Sequence, residues 1–190
     1  IEFSVSNFRS FRDRQTLSMA ASPLLSKSRN TFKASTNAEE LPELLKVAAI
    51  YGPNGSGKSS LIRAMGIVGS LLAIPADTLD AALPVSAFRF DETLKDEPSS
   101  FEYDFVQGGL RYRFVLGLTA QRIVHEQLLC FPQGKETLLY KRQVDAQGEH
   151  YLFGETLEGG KEVHRAWQRL TSPKMLFIAQ AVIHSSEELM

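Results

Sequence analysis

One cysteine, four histidines and a single tryptophan in 190 residues leave several kinds of chemistry without material. Cys130 has no partner for an intramolecular disulfide, so a chain of this length must be held by its own core. It lies in the apolar run Leu128-Leu129-Cys130-Phe131, where it reads as a small buried hydrophobe in a reducing compartment. The histidines at 125, 150, 164 and 184 are scattered, and no Cys-x-x-Cys or His-x-x-x-His pair occurs, so no metal site built from side chains is indicated. No run of eighteen apolar residues exists, and the opening Ile1-Glu2-Phe3 lacks the basic start and apolar core of a signal peptide. The expectation is a soluble, cytoplasmic protein with no membrane partner. Charge of one sign is lacking too: 21 basic against 22 acidic residues give a net charge of −1, which excludes a global field for nucleic acid. Arg9, Arg12, Arg14, Lys27, Arg29 and Lys33 do form a local basic stretch, with no acid between Asp13 and Glu39. A solvated basic face is the plainer reading of it.

The informative stretch is Val47-Ala48-Ala49-Ile50-Tyr51 followed by Gly52-Pro53-Asn54-Gly55-Ser56-Gly57-Lys58-Ser59-Ser60. Gly52, Gly57, Lys58 and Ser59 fill the G-x-x-x-x-G-K-[ST] pattern of a phosphate-binding loop, with an apolar strand expected before it and a helix after it. Glycines at 52, 55 and 57 let the backbone curl and present N–H groups to phosphate oxygens. The helix start near Lys58 adds unpaired N–H groups and the positive end of its dipole. Lys58 supplies a full charge for the β- and γ-phosphates. Ser59 offers a hydroxyl to Mg²⁺, which prefers oxygen ligands. Asn54 is expected beside the γ-phosphate. The motif therefore predicts a nucleoside triphosphate with magnesium.

Around the loop the pattern changes twice. Residues 2–8 alternate, with Phe3 and Val5 on one face of a predicted strand that could pair with the strand leading into the loop. Residues 22–45 read as loop, with Leu41 to Leu45 a short helical turn at most. Val47 to Tyr51, lacking alternation, predicts a strand buried on both faces. A helix follows from Lys58 to Leu72, and residues 73–100, with Pro75, Pro84 and Pro98, form an irregular connection. From Phe101 the period is two. Gly108-Gly109 predicts a hairpin turn that sets Phe105 against Tyr112, Tyr103 against Phe114 and Asp104 against Arg113. Further strands are expected at Ile123–Phe131, Thr137–Arg142 and Tyr151–Phe153, then a helix over Met175 to Ile183 after Ser172-Pro173. Glu187-Glu188 reads as a solvated helix face.

The loop Gly52-Pro53-Asn54-Gly55-Ser56-Gly57-Lys58-Ser59 resembles the Walker A loop of ABC-type ATPases. The segment Phe3-Ser4-Val5-Ser6-Asn7-Phe8-Arg9-Ser10-Phe11 resembles the first strand and following turn of their SMC-, RecF- and OLD-like branch. Pro98 to Phe105, Tyr112-Arg113-Phe114 and Ile123 to Leu128 are similar to the N-terminal half of the AAA-15/AAA-21 group, stand-alone ATPases often tied to phage defence or DNA maintenance. The resemblance implies a composite site in which one head binds ATP–Mg²⁺ and a second head closes over it, as a homodimer, with DNA or an effector or nuclease subunit as further partners. It implies that Arg9 lies near the nucleotide, and it offers Gln180, in Phe177-Ile178-Ala179-Gln180, as a match to the glutamine that senses Mg²⁺ and the γ-phosphate. Lys58 is the residue implied to stabilise charge in hydrolysis.

The departures limit that analogy. No four apolar residues precede an Asp-Glu pair in the Walker B manner. Phe90-Asp91-Glu92 has the dipeptide without the strand, and Leu157-Glu158-Gly159-Gly160-Lys161 lacks the serine of the signature motif and reads better as a hairpin turn. The expected architecture is an α/β P-loop core with an appended antiparallel β-meander. It divides into a strand and loop core over 1–72, a connection over 73–100, a β lobe over 101–153 and a helical segment over 172–190, as the N-terminal lobe of a longer ATPase. Two rivals stand beside it: a nucleotide-gated interaction module without hydrolysis, and a P-loop kinase, which the β-meander fits poorly. The guanine-reading N-K-x-D motif of GTPases is absent.

Overall fold

The computed structural model describes residues 1–22, 24, 28–37, 40–73 and 81–184. Seven strands form one sheet: β1 (Glu2–Ser6), β2 (Gln15–Ser18), β5 (Ser99–Gln107), β6 (Leu110–Leu118), β7 (Ile123–Cys130), β8 (Thr137–Asp145) and β9 (Gly148–Phe153). Their order is β2-β1-β5-β6-β7-β8-β9, and every neighbouring pair is antiparallel. Short β3 (Thr31–Phe32) and β4 (Leu44–Leu45) pair separately. Four α-helices lie among the described residues: α1 (Lys58–Met65), α2 (Ile67–Leu72), α3 (Gly160–Leu170) and α4 (Phe177–Ile183). One sheet face carries Phe3, Val5, Phe101, Phe114 and Leu116 into a core closed by Ala64, Ile67 and Leu71 of the first two helices and by Trp167, Phe177 and Ala181 of the last two.

The hairpin follows its predicted register. Gly108 and Gly109 have φ of 59° and 78°, the left-handed pair that a type I′ turn requires. Phe105 then faces Tyr112 with stacked rings 5.6 Å apart, Tyr103 faces Phe114, and Arg113 Nη2 lies 3.0 Å from Asp104 Oδ2. Cys130 is buried in the core, as its apolar run requires.

Several expectations are corrected. β1 pairs with β2 and β5 and not with the segment before the loop, which makes the N-terminal strand part of the same sheet as the meander. Val47 to Tyr51 is not a buried strand: Val47 and Tyr51 are 78% and 89% exposed, and no described strand pairs with it. Without a ladder partner its apolar side chains have nothing to pack against. Leu44-Leu45 is a strand, drawn out of a helical turn by pairing with Thr31-Phe32. The helix over Lys58–Leu72 breaks at Gly66, where the weak helix propensity of glycine lets the chain re-aim. Leu157 to Lys161 is no hairpin. Gly159 (φ 93°) caps α3, whose His164 and Trp167 are buried one turn apart. Glu187-Glu188 lies outside the described residues.

The sheet holds α1 in place by more than apolar contact. The Tyr103 hydroxyl, on β5, donates to the carbonyls of Ala64 (3.1 Å) and Met65 (3.3 Å) at the helix's C-terminal end. Burial pushes this hydroxyl's pKa well above the ordinary tyrosine value, so it stays a donor. Tyr103→Phe is expected to lower the unfolding free energy by about 1 kcal/mol in a denaturant titration while leaving the fold intact.

Candidate nucleotide-binding site

The loop is built by one turn and two left-handed glycines, Gly55 (φ 83°) and Gly57 (φ 91°). Ser56 N–H donates to the Pro53 carbonyl (3.3 Å), closing the turn, and Gly57 at φ 91° swings the chain into α1. The first intrahelical bond runs from Leu61 N–H to Gly57 O (2.9 Å), so the amides of Lys58, Ser59 and Ser60 precede the helical ladder. No acidic side chain occupies that first turn. Three donors and a helix dipole therefore converge on one spot without a competing anion.

Lys58 is turned into the loop. Its ammonium donates to the carbonyls of Gly52 (2.7 Å) and Pro53 (2.8 Å) and lies 3.4 Å from Ser56 Oγ. A full positive charge is thus held within the loop by weak, solvent-accessible acceptors that a phosphate oxygen can replace. Asn54, Gly55 and Ser59 are exposed, and a Cβ added at Gly55 would meet open space. Positive charge, convergent N–H groups and the Ser59 hydroxyl are a donor set that fits a polyphosphate and a hard cation.

A turn from the N-terminus backs the loop. A Cβ at Gly57 would come within 3.1 Å of Ser10 Oγ and 3.5 Å of the Phe11 ring, so the turn after β1 packs directly against the residue that opens α1. Its own shape is set by Asn7 (φ 48°) and Arg9 (φ 52°), both left-handed, and by mutual backbone bonds between Phe8 and Phe11 (2.8 Å each). Asn7 is buried. Its amide donates to the carbonyls of Leu94 and Glu97 (2.9 Å each), its side-chain oxygen accepts from Phe88 N–H (3.0 Å), and its own carbonyl accepts from the Ser99 hydroxyl. Arg9, expected near the nucleotide, is exposed, and its amide donates to Ser86 O (2.8 Å). Its neighbours Ser10 and Phe11 touch the loop.

Gln180 lies elsewhere in the pattern of contacts. It is buried in α4, its amide donating to Met175 Sδ (3.7 Å), and among the described residues it makes no hydrogen bond to the loop. What fixes α4 is a carboxylate that no sequence motif marks. Glu126, on β7 and fully buried, accepts from Phe177 N–H (2.8 Å) and Ile178 N–H (3.1 Å), the first amides of α4, and from the Tyr140 hydroxyl (2.8 Å). Buried Arg142 sits 3.7 Å from Glu126 Oε2 and donates to Met175 O (2.7 Å), Ser172 O (3.1 Å) and Glu149 Oε1 (2.8 Å). Burial raises the Glu126 pKa against the pull of Arg142 and the three donors. The one signal in the sequence is a charged residue at the middle of an apolar face on each of two adjacent strands, between Val124 and Leu128 and between Tyr140 and Val144.

Glu149, at the rim of this cluster, moves the other way. Partial burial would raise its pKa, but the Tyr151 hydroxyl and the guanidiniums of Arg142 and Arg122 outweigh it and hold the carboxyl below its usual range. Its stabilising contribution is present above the unfolded carboxylate value and is lost as pH falls through the lower folded value. The stability difference between wild type and Glu149→Gln should therefore narrow as pH is lowered from 6 towards 3, as read by denaturant titrations at each pH.

Other candidates resolve into structure. Asp91 of Phe90-Asp91-Glu92 caps a short 3-10 helix and pairs with Arg12 (2.8 Å); the Thr93 hydroxyl first, then the Arg12 guanidinium, hold its carboxyl below the ordinary range. Arg12 and Arg14, from the basic stretch, pair with Asp91 and Glu102. No metal-binding cluster of His, Cys, Asp and Glu occurs among the described residues, and no described helix is long and apolar enough to cross a membrane. A family profile described as "AAA domain, putative AbiEii toxin, Type IV TA system" matches residues 47–161, which spans the loop and most of the sheet. A search of curated proteins returns no match.

Proposed function

Because the chain belongs to this AAA domain family of P-loop ATPases, we propose that it is the ATP–Mg²⁺-binding lobe of an ABC-type, SMC/RecF/OLD-like head that dimerises when nucleotide is bound. The observation that supports this most is the loop itself: Lys58 Nζ is held within the loop that leads into the amides of Lys58, Ser59 and Ser60. In this reading the amides of Gly55, Gly57 and Lys58 cradle the β-phosphate. Lys58 reaches the β- and γ-phosphates, and the Ser59 hydroxyl is the protein's ligand to Mg²⁺. Gly52, Pro53 and Ser56 shape the turn, Asn54 borders the γ-phosphate, and Ser60 offers its free amide to the phosphates. When bound, Mg²⁺ would supply Lewis-acid stabilisation of the charge that develops in phosphoryl transfer.

Arg9 borders the nucleotide from the turn behind Gly57. The setting is phage defence or DNA maintenance, with DNA or an effector or nuclease subunit as partner, in line with the toxin–antitoxin description of the family. Sedimentation of the full-length gene product with Mg·ATP and with Mg·ADP, together with phosphate release, tests this. A dimer specific to ATP and turnover are expected. A monomer in both nucleotides would overturn the two-head reading.

One observation favours a second reading, a nucleotide-gated interaction module without turnover. Asp91, the acid of the Asp-Glu pair after α2, is engaged by Arg12 and by its own cap and is not held for metal. ATP-dependent dimerisation without phosphate release would select it.

A further inference from the structure

We propose that the ring of Phe90 is the stacking platform for the purine base of the nucleotide whose phosphates the Gly52–Ser59 loop holds, an inference that rests on the nucleotide-binding reading above. Phe90 is 91% exposed, although apolar burial should draw a large ring inward. It is not exposed on a slack loop. On its N-terminal side Arg9 N–H donates to Ser86 O (2.8 Å), and Phe88 N–H donates to the buried Asn7 side chain (3.0 Å). On its C-terminal side the Arg12 guanidinium holds Asp91 through two bonds of 2.8 and 2.9 Å.

All three anchors, Asn7, Arg9 and Arg12, belong to the turn that packs Ser10 and Phe11 against Gly57. The ring is thus fixed on the same support as the phosphate loop. Phe88 buttresses it edge-on, with centroids 5.8 Å apart and planes at 67°, which leaves a face open.

A nucleotide seated by its phosphates must place a flat, apolar base beyond the loop, and the loop's own Pro53, Asn54 and Ser56 offer no aromatic face for it. Tyr51, next to the loop in sequence, is exposed too, but no described strand pairs with its segment and nothing described fixes its ring. An aromatic face presented to a base contributes sequence-tolerant stacking, which sets affinity for nucleotide over bare polyphosphate.

The test compares binding of Mg·ATP and of magnesium tripolyphosphate to the full chain by calorimetric titration, for wild type, Phe90→Ala and Phe90→Trp. Phe90→Ala is expected to weaken ATP roughly tenfold and to leave tripolyphosphate unchanged. Phe90→Trp should restore ATP affinity, and the indole it introduces should be quenched by ATP and not by tripolyphosphate. Unchanged ATP affinity in Phe90→Ala, or equal loss for both ligands, would overturn the stacking role while leaving the phosphate site standing. A wild-type chain that binds neither ligand would overturn both. Because the side chain is exposed, Phe90→Ala should keep wild-type stability, so that lost binding cannot be ascribed to unfolding.

Discussion

Glu126→Ala is expected to lower the free energy of unfolding by about 3–5 kcal/mol, the largest stability effect of any single change proposed for this chain. The substitution leaves Arg142, fully buried, without the carboxylate 3.7 Å from it, and removes the acceptor for the first two amides of α4 and for the Tyr140 hydroxyl. Each of those groups then lies desolvated with a partner missing, which is more costly than never having had one. Removing both charges should be milder than removing one. Glu126→Leu combined with Arg142→Met is expected to be more stable than Glu126→Leu alone, because the pair's value lies in mutual satisfaction more than in net attraction. Denaturant titration of the three variants reads the coupling directly. If Glu126→Ala unfolded within 1 kcal/mol of wild type, the network would not be what holds α4 to β7 and β8.

Lys58→Ala is expected to weaken binding of Mg·ATP on the order of a hundredfold while leaving stability within about 0.5 kcal/mol of wild type. The two halves of that expectation come from the same geometry. Its ammonium bonds only to the exposed carbonyls of Gly52 and Pro53 and to Ser56 Oγ, groups that water can satisfy when the lysine is gone. Against a polyphosphate the same ammonium is a charge-assisted donor, and loss of one full charge there is not made good by water. Function and stability are therefore carried by different charged residues: Lys58 at the loop, Glu126 and Arg142 under α4.

Legibility in the sequence followed how local the determining physics is. The Gly108-Gly109 hairpin was legible to the residue pair, because two left-handed glycines and a period of two fix register without reference to the rest of the chain. The phosphate loop was legible because its glycines and Lys58 act within eight residues.

What failed was non-local. The pairing of β1 with β5 joins residues about a hundred positions apart, and no pattern within Glu2–Ser6 names that partner. Val47 to Tyr51 carries the composition of a buried strand, yet burial needs a neighbour that composition cannot supply. Gly159-Gly160 suggested a turn, and the helix they open is visible only once Trp167 and His164 are seen to pack against Phe153 and Phe177. Asn7 and Glu126 read as ordinary polar residues. Their weight comes from several backbone groups, brought together by the fold, that each satisfies at once.

The central claim is that the Gly52–Ser59 loop holds a nucleotide by its phosphates, with Lys58 as the charge that fixes them. Titrating Mg·ATP into the wild-type chain and into Lys58→Ala, in the same buffer and salt, tests it most directly. The account expects saturable, magnesium-dependent binding in the wild type and on the order of a hundredfold weaker binding in the variant. Equal affinity in the two proteins would contradict it.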